Sequence, residues 1–156
     1  MKSYLLSLGS NIDPQKNIPL CLEALKKQFE LARISSPYET DPVGPAGSLK
    51  FWNLCLEIKT ELEAPELVES LRRIETSLGR KRTTRDKFAP RTIDIDLLPQ
   101  PGYREMAFIM IPLAEMASAA KDPETDLSFG ELARRLENLA SVRRLPRSLL
   151  ELQKAR

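Results

Sequence analysis

Stretches with strand-like and helix-like apolar spacing follow one another in a fixed order, and that order limits what this chain can fold into more than any other feature of it. Tyr4 to Leu8 is a short apolar run that stops at Gly9-Ser10-Asn11, a tight-turn signal. Ile18, Cys21, Leu22, Leu25 and Phe29 then recur at spacings of 3, 1, 3 and 4, one stripe of an amphipathic helix. Pro19 favours a helix start near Asn17, because proline suits a first turn and kinks an interior. Leu31 to Thr40 reads as a strand. Phe51 to Thr60 reads as another, with Leu54, Leu56 and Ile58 on one face and Cys55, Glu57 and Lys59 on the other. Pro65 opens a second helix through Leu67, Leu71, Ile74 and Leu78, which Gly79 ends, and Thr92 to Leu98 is a further strand. The order β-α-β-β-α-β predicts an α+β fold, the ferredoxin-like split βαβ sandwich with both helices on one face of an antiparallel sheet.

Beyond residue 98, Ile109 to Ala120 reads as a strand end running into a short helix after Pro112. Ser128 and Glu131 form a capping-box pattern for a last helix through Leu132, Leu136 and Leu139. These extra C-terminal helices are expected on the other side of the sheet. At 156 residues the chain suits a single domain spanning 1–156.

Composition removes several kinds of chemistry. The chain has no histidine, so serine–histidine triads, His-ligated zinc and haem are excluded. Two scattered cysteines, Cys21 and Cys55, fit reduced thiols rather than a disulfide framework. The N-terminal apolar run is too short for a signal peptide or an anchor, which predicts a soluble, cytoplasmic protein without a membrane partner. A net charge of +2 argues against wholesale polyanion binding. From Arg134 to Arg156 seven basic residues face two acidic ones, read as a solvated helix face on a monomer or weak homodimer.

The sharpest chemical signal is Thr92-Ile93-Asp94-Ile95-Asp96-Leu97-Leu98. Strand alternation sends the isoleucines and Leu97 into one layer and both aspartates out of the other face, roughly 6.5–7 Å apart at Cα. Two such carboxylates repel unless a cation lies between them, and Mg²⁺ suits the place because it takes oxygen ligands, waters and substrate phosphates. The preceding stretch, residues 80–91, carries six basic residues against Asp86. Its Arg80, Arg82, Arg85 and Arg91 offer the guanidinium forks that match phosphate oxygens. Acids for metal beside arginines for phosphate point to phosphoryl transfer. Nucleic acid fits poorly, since Phe88 is the one aromatic in the basic run, and neither a Walker A motif nor a Rossmann glycine loop is present.

Taken together, Leu8-Gly9-Ser10-Asn11, Tyr38-Glu39-Thr40-Asp41-Pro42-Val43-Gly44, Phe51-Trp52-Asn53, Arg73-Ile74-Glu75 with Gly79-Arg80, Ala89-Pro90-Arg91-Thr92-Ile93-Asp94-Ile95-Asp96-Leu97-Leu98 and the segment from Phe108 through Pro112-Leu113-Ala114-Glu115 resemble the 6-hydroxymethyl-7,8-dihydropterin pyrophosphokinases over residues 1–117. The resemblance implies transfer of pyrophosphate from ATP to a pterin alcohol in folate biosynthesis, with AMP released. It implies two Mg²⁺ ions on Asp94 and Asp96, with Arg80, Arg82 and Arg91 clamping the phosphates and Glu75 on the nucleotide side. Thr40, Val43, Phe51 and Asn53 would surround the pterin, Phe108 would stack on it, and Phe88 would stand on a mobile loop closing over it. Asn53 suits that role by chemistry as well, since its carboxamide offers a donor and an acceptor to a heterocycle edge.

The sequence departs from the family pattern in places. Asp96 and Phe108 are only twelve positions apart, closer than in most members, and Leu97 to Ala107 holds no histidine. Met106 stands where an arginine is usual, with Arg104 at a different offset, and Asp41 replaces a proline. These changes set out an alternative expectation: a diverged, non-catalytic or altered-substrate relative that binds a pterin-like ligand or a protein partner.

Overall fold

The computed structural model describes residues 1–41, 50–79, 92–137 and 141–152. Strand β1 (Lys2–Ser10) pairs antiparallel with β4 (Phe51–Thr60) on one side and β5 (Asp94–Leu98) on the other. The far edge of β4 pairs with β2 (Glu30–Ile34) and β3 (Tyr38–Thr40), and β3 pairs in turn with β6 (Val142–Arg144). Helices α1 (Pro14–Gln28) and α2 (Ala64–Ser77) make the two crossovers, so the order β5-β1-β4-β3-β6 is the α+β, ferredoxin-like arrangement read from the sequence. No helix among the described residues is long and apolar enough to cross a membrane.

The sheet separates two apolar clusters. On one face Leu6, Leu8, Leu54, Leu56, Ile58, Ile93 and Ile95 pack under Ile18, Leu22 and Leu25 of α1 and Leu67, Leu71 and Ile74 of α2. On the other face Cys55 and Leu98 pack under Ile109, Met110 and Leu113 of α3 (Ala107–Ala117) and under Phe129 and Leu132 of α4 (Phe129–Arg134). Each large side chain so buried contributes about 1.5–3 kcal/mol, and the sheet is the shared wall of both clusters. Both cysteines are free and buried, and burial pushes the Cys21 thiol up to about 12.

Four local readings change. The stretch from Leu31 to Thr40 is two strands, because residues 35–37 stand opposite only two residues of β4, the Ser36 N–H turns to Glu115, and Ser35 takes over the pairing. Its backbone N–H donates to the Cys55 carbonyl at 2.9 Å and its hydroxyl accepts from the Cys55 N–H at 3.0 Å. Helix α1 starts at Pro14 rather than near Asn17 and carries Pro19 inside it. The stretch from Ile109 is helical from Ala107 onward: Ile109, Met110, Leu113 and Ala117 are buried at spacings of 1, 3 and 4, a helix stripe that continues through Pro112. The Ser128 cap holds, its hydroxyl accepting from the Glu131 N–H at 3.1 Å, but α4 closes at Arg134, before Leu136, and Leu139 lies outside the described residues.

The basic tail is a further correction. Instead of a solvated helix face it supplies β6 and a short 3₁₀ turn, Arg147–Leu150. Arg143 bonds Glu39, and Arg144 and Arg147 both reach Glu115. Three of the tail's arginines are therefore matched within the fold.

Candidate active site

Strand alternation on β5 works as the sequence requires. Ile93 and Ile95 are buried toward α1 and α2, while Asp94 and Asp96 are half-buried on the opposite face. The ladder then builds a row across three strands: Asp94 lies beside Gly9 of β1, and Gly9 lies beside Asn53 of β4. Asn53 pairs in turn with Tyr38 of β3, and Thr40 pairs with Phe51. Thr40, Phe51, Asn53, Asp94 and Asp96 thus share one face of the sheet, with Gly9 between the carboxamide and the carboxylates.

Asn53 is buried, and its Nδ2 donates to Thr40 Oγ1 at 3.0 Å. Gly9 permits this placement. A Cβ there would lie 2.8 Å from Asn53 Oδ1 and 3.8 Å from the Phe51 ring. Gly9→Ala is therefore expected to displace the Asn53 side chain and to cost about 1–3 kcal/mol as an overpacked site. Urea unfolding measures the cost, and the side-chain amide resonances of Asn53 report the displacement; an unchanged amide pair contradicts the expectation.

The aspartate strand is anchored at its start and along its length. Ser10 Oγ lies 2.7 Å from the Thr92 carbonyl and 3.1 Å from that of Ile12, tying the end of β1 to the entry of β5. Glu75, on α2 and only 1% exposed, accepts the Ile95 backbone N–H at 2.8 Å. A charge-assisted bond of this kind holds the backbone between the two aspartates firmly.

Phe108 sits in the first turn of α3 rather than at a strand end, partly buried against the second cluster. The Ile109 carbonyl next to it lies 3.5 Å from Cys55 Sγ, and Cys55 is two residues from Asn53 on the same face of β4. Val43, Phe88, Arg80, Arg82, Arg85 and Arg91 lie outside the described residues.

Two polar clusters escaped the sequence reading. Arg104 donates from Nε to Asp122 at 2.7 Å, pairs with Glu124 at 2.9 Å and lies over the Tyr103 ring, so it is engaged within the fold. Glu115 accepts the Ser36 N–H at 2.6 Å and the Tyr38 hydroxyl at 2.9 Å. One signal was available for the second cluster: Glu115 is the single charge in the apolar run from Phe108 to Ala117.

The architecture matches that of HPPK-DHPS from Plasmodium falciparum, with a TM-score of 0.69 at 12% identity over 88% of this chain and 43% of that one. The chain therefore has the HPPK fold and spans less than half of that larger chain. The family model for 7,8-dihydro-6-hydroxymethylpterin-pyrophosphokinase matches residues 5–118. A 2-amino-4-hydroxy-6-hydroxymethyldihydropteridine pyrophosphokinase of Bacillus subtilis is 36% identical over 137 residues, covering 77% of this chain and 81% of that protein. The protein of the same name from Aquifex aeolicus is 33% identical over 131 residues, 74% of this chain and 81% of its own. The chain belongs to the 7,8-dihydro-6-hydroxymethylpterin-pyrophosphokinase family.

Proposed function

We propose that this chain is a folate-pathway pyrophosphokinase, moving pyrophosphate from ATP to the hydroxymethyl group of 6-hydroxymethyl-7,8-dihydropterin, with Asp94 and Asp96 at the phosphates and Asn53 at the pterin. The hydroxymethyl oxygen attacks the β-phosphorus in line, the bond from that phosphorus to the oxygen bridging to the α-phosphate breaks, and AMP leaves with that oxygen. The hydroxyl proton passes to solvent. Reactions of this kind need positioning and charge neutralisation more than covalent help from the protein.

The observation that carries the reading is the row across β5, β1 and β4, which sets two carboxylates and a buried carboxamide on one sheet face with a glycine between them. Among the described residues no three His, Cys, Asp or Glu side chains gather into a closed metal cage. Two strand carboxylates nevertheless suit Mg²⁺, which keeps waters and accepts phosphate oxygens as its remaining ligands. Asp94 and Asp96 would hold two such ions, and when bound these supply neutralising charge to the polyphosphate. Arg80, Arg82 and Arg91 complete the phosphate clamp, and Glu75 serves the nucleotide side from beneath the sheet, by holding the Ile95 N–H between the two aspartates. Thr40, Val43, Phe51 and Asn53 surround the pterin, where Asn53 still has its carbonyl and one N–H to offer after donating to Thr40. Phe108 and Phe88 supply aromatic faces to the flat ring.

The unit is one domain over residues 1–156, acting in the cytoplasm on small molecules as a monomer or weak homodimer, without nucleic acid or membrane. An assay of AMP release tests the reading, with ATP, Mg²⁺ and the pterin alcohol each omitted in turn. AMP formed only when all three are present is the expected result. Pterin binding without AMP formation would return the chain to the non-catalytic alternative.

A further inference from the structure

We infer that Glu115 is a positioning residue for the acceptor side of the site, the hub through which helix α3 and strand β3 are held in register around the pterin. The inference rests on the reading above that Phe108, Thr40 and Asn53 surround the acceptor.

Glu115 and Phe108 are seven residues apart on α3, so they fall on the same side of the helix about 10 Å apart along its axis. Fixing the carboxylate therefore fixes the roll of the helix and the direction in which Phe108 points. The carboxylate is fixed by β3 and the turn before it: Oε2 accepts the Ser36 N–H at 2.6 Å and Oε1 accepts the Tyr38 hydroxyl at 2.9 Å. Tyr38 is the cross-strand partner of Asn53 and stands two residues before Thr40 on the same face. One carboxylate thus joins both walls of the acceptor pocket.

The tail closes the hub from outside. Arg144 Nε lies 3.1 Å from Glu115 Oε1 and 3.2 Å from Ser36 Oγ, while Arg147 lies 3.7 Å from Oε2 and donates to the Ile34 carbonyl at 2.9 Å. Strand β6, opposite Tyr38 to Thr40, carries Arg144 to this place. Burial pushes the Glu115 carboxyl up, and the Ser36 and Tyr38 bonds with the Arg144 charge bring it below its ordinary value. The family match stops at residue 118, so β6 and its arginines are added by sequence beyond the matched stretch.

Steady-state KM values for the pterin and for ATP, measured separately, test the inference. Glu115→Ala is expected to raise the pterin KM on the order of tenfold to a hundredfold, the usual cost of a small misplacement, and to leave the ATP KM within about twofold. Tyr38→Phe removes one hydroxyl and keeps the ring, and is expected to move the pterin KM the same way by about fivefold. Should Glu115→Ala fail to fold, Tyr38→Phe decides. Both KM values rising together in a folded variant, or neither changing, would overturn the inference. Asn53→Ala is the control: a pterin KM unchanged in that variant removes the pocket assignment itself, whereas a raised KM there with none in Tyr38→Phe or Glu115→Ala removes only the hub.

Discussion

Asp94→Asn and Asp96→Asn, made separately, are each expected to lower the rate of AMP release about a hundredfold to a thousandfold, with the fold intact. The substitution keeps side-chain size and removes one negative charge, so its effect separates electrostatics from packing. Both side chains stand half-buried on a strand whose packed residues, Ile93 and Ile95, face the other way. The backbone between them is held independently, through the Ile95 N–H to Glu75 and the Thr92 carbonyl to Ser10. Stability should therefore change by less than about 1 kcal/mol, or roughly 2–4 °C in thermal midpoint. A carboxamide is a poorer ligand for a hard dication than a carboxylate, so the residual activity should need a higher Mg²⁺ concentration to reach its plateau. Wild-type turnover in either variant, at an unchanged Mg²⁺ requirement, would remove these carboxylates from the mechanism.

Much of this layout was legible in the sequence because strand period and helix period are set by geometry. The alternation in Thr92 to Leu98 placed the isoleucines and the aspartates on opposite faces, and the register with β1 agrees. Leu54, Leu56 and Ile58 divide from Cys55 in the same way, each group in a different apolar cluster. Where a local signal pointed two ways, tertiary packing decided. Pro112 suggested a boundary, yet the apolar surroundings on the far face of the sheet keep α3 continuous through it. What read as one long strand breaks where residues 35–37 stand opposite only two residues of β4 and the Ser36 N–H turns away to Glu115.

Long-range ion pairing was the part that sequence could not supply. The tail looked like surplus positive charge because its partners, Glu39 and Glu115, lie far away in the chain. Burial pushes the Glu39 carboxyl up, and the Trp52 and Arg143 bonds outweigh it, leaving the group below its ordinary value. Arg104 shows the converse. It stands at a different offset from the family's usual arginine, and Asp122 and Glu124 hold it inside the fold.

The cluster of Tyr103, Arg104 and Asp122 carries the largest expected stability effect. Asp122 is fully buried, and its carboxylate accepts from the Tyr103 hydroxyl, from Arg104 Nε at 2.7 Å, and from the Thr125 N–H and hydroxyl at 2.9 and 2.7 Å. It thereby joins the turn entering α3 to the loop entering α4. Asp122→Ala strands the buried Tyr103 hydroxyl and unties the Thr125 turn. A loss of about 3 kcal/mol is expected, at the low end for a broken buried pair because Arg104 keeps Glu124 and some contact with water. In a chain of this size that corresponds to a thermal midpoint roughly 6–12 °C lower.

The same group gives the fold a pH dependence of known sign. The Arg104 bond draws the Asp122 carboxyl well below the usual carboxylate range; burial opposes this, and the Tyr103 and Thr125 bonds add to it. In the unfolded chain the group titrates near its ordinary value of about 3.9. Below that value the unfolded state takes up a proton that the folded state does not, so the stabilisation is complete above about pH 5 and drains away as pH falls toward the folded value. Asp122→Asn, which keeps the shape and lacks the titration, should therefore be less stable than the wild type at pH 7 and closer to it at pH 3. Urea unfolding at both pH values measures the gap, and a gap of the same size at pH 3 would show that the cluster holds the two loops by packing rather than by charge.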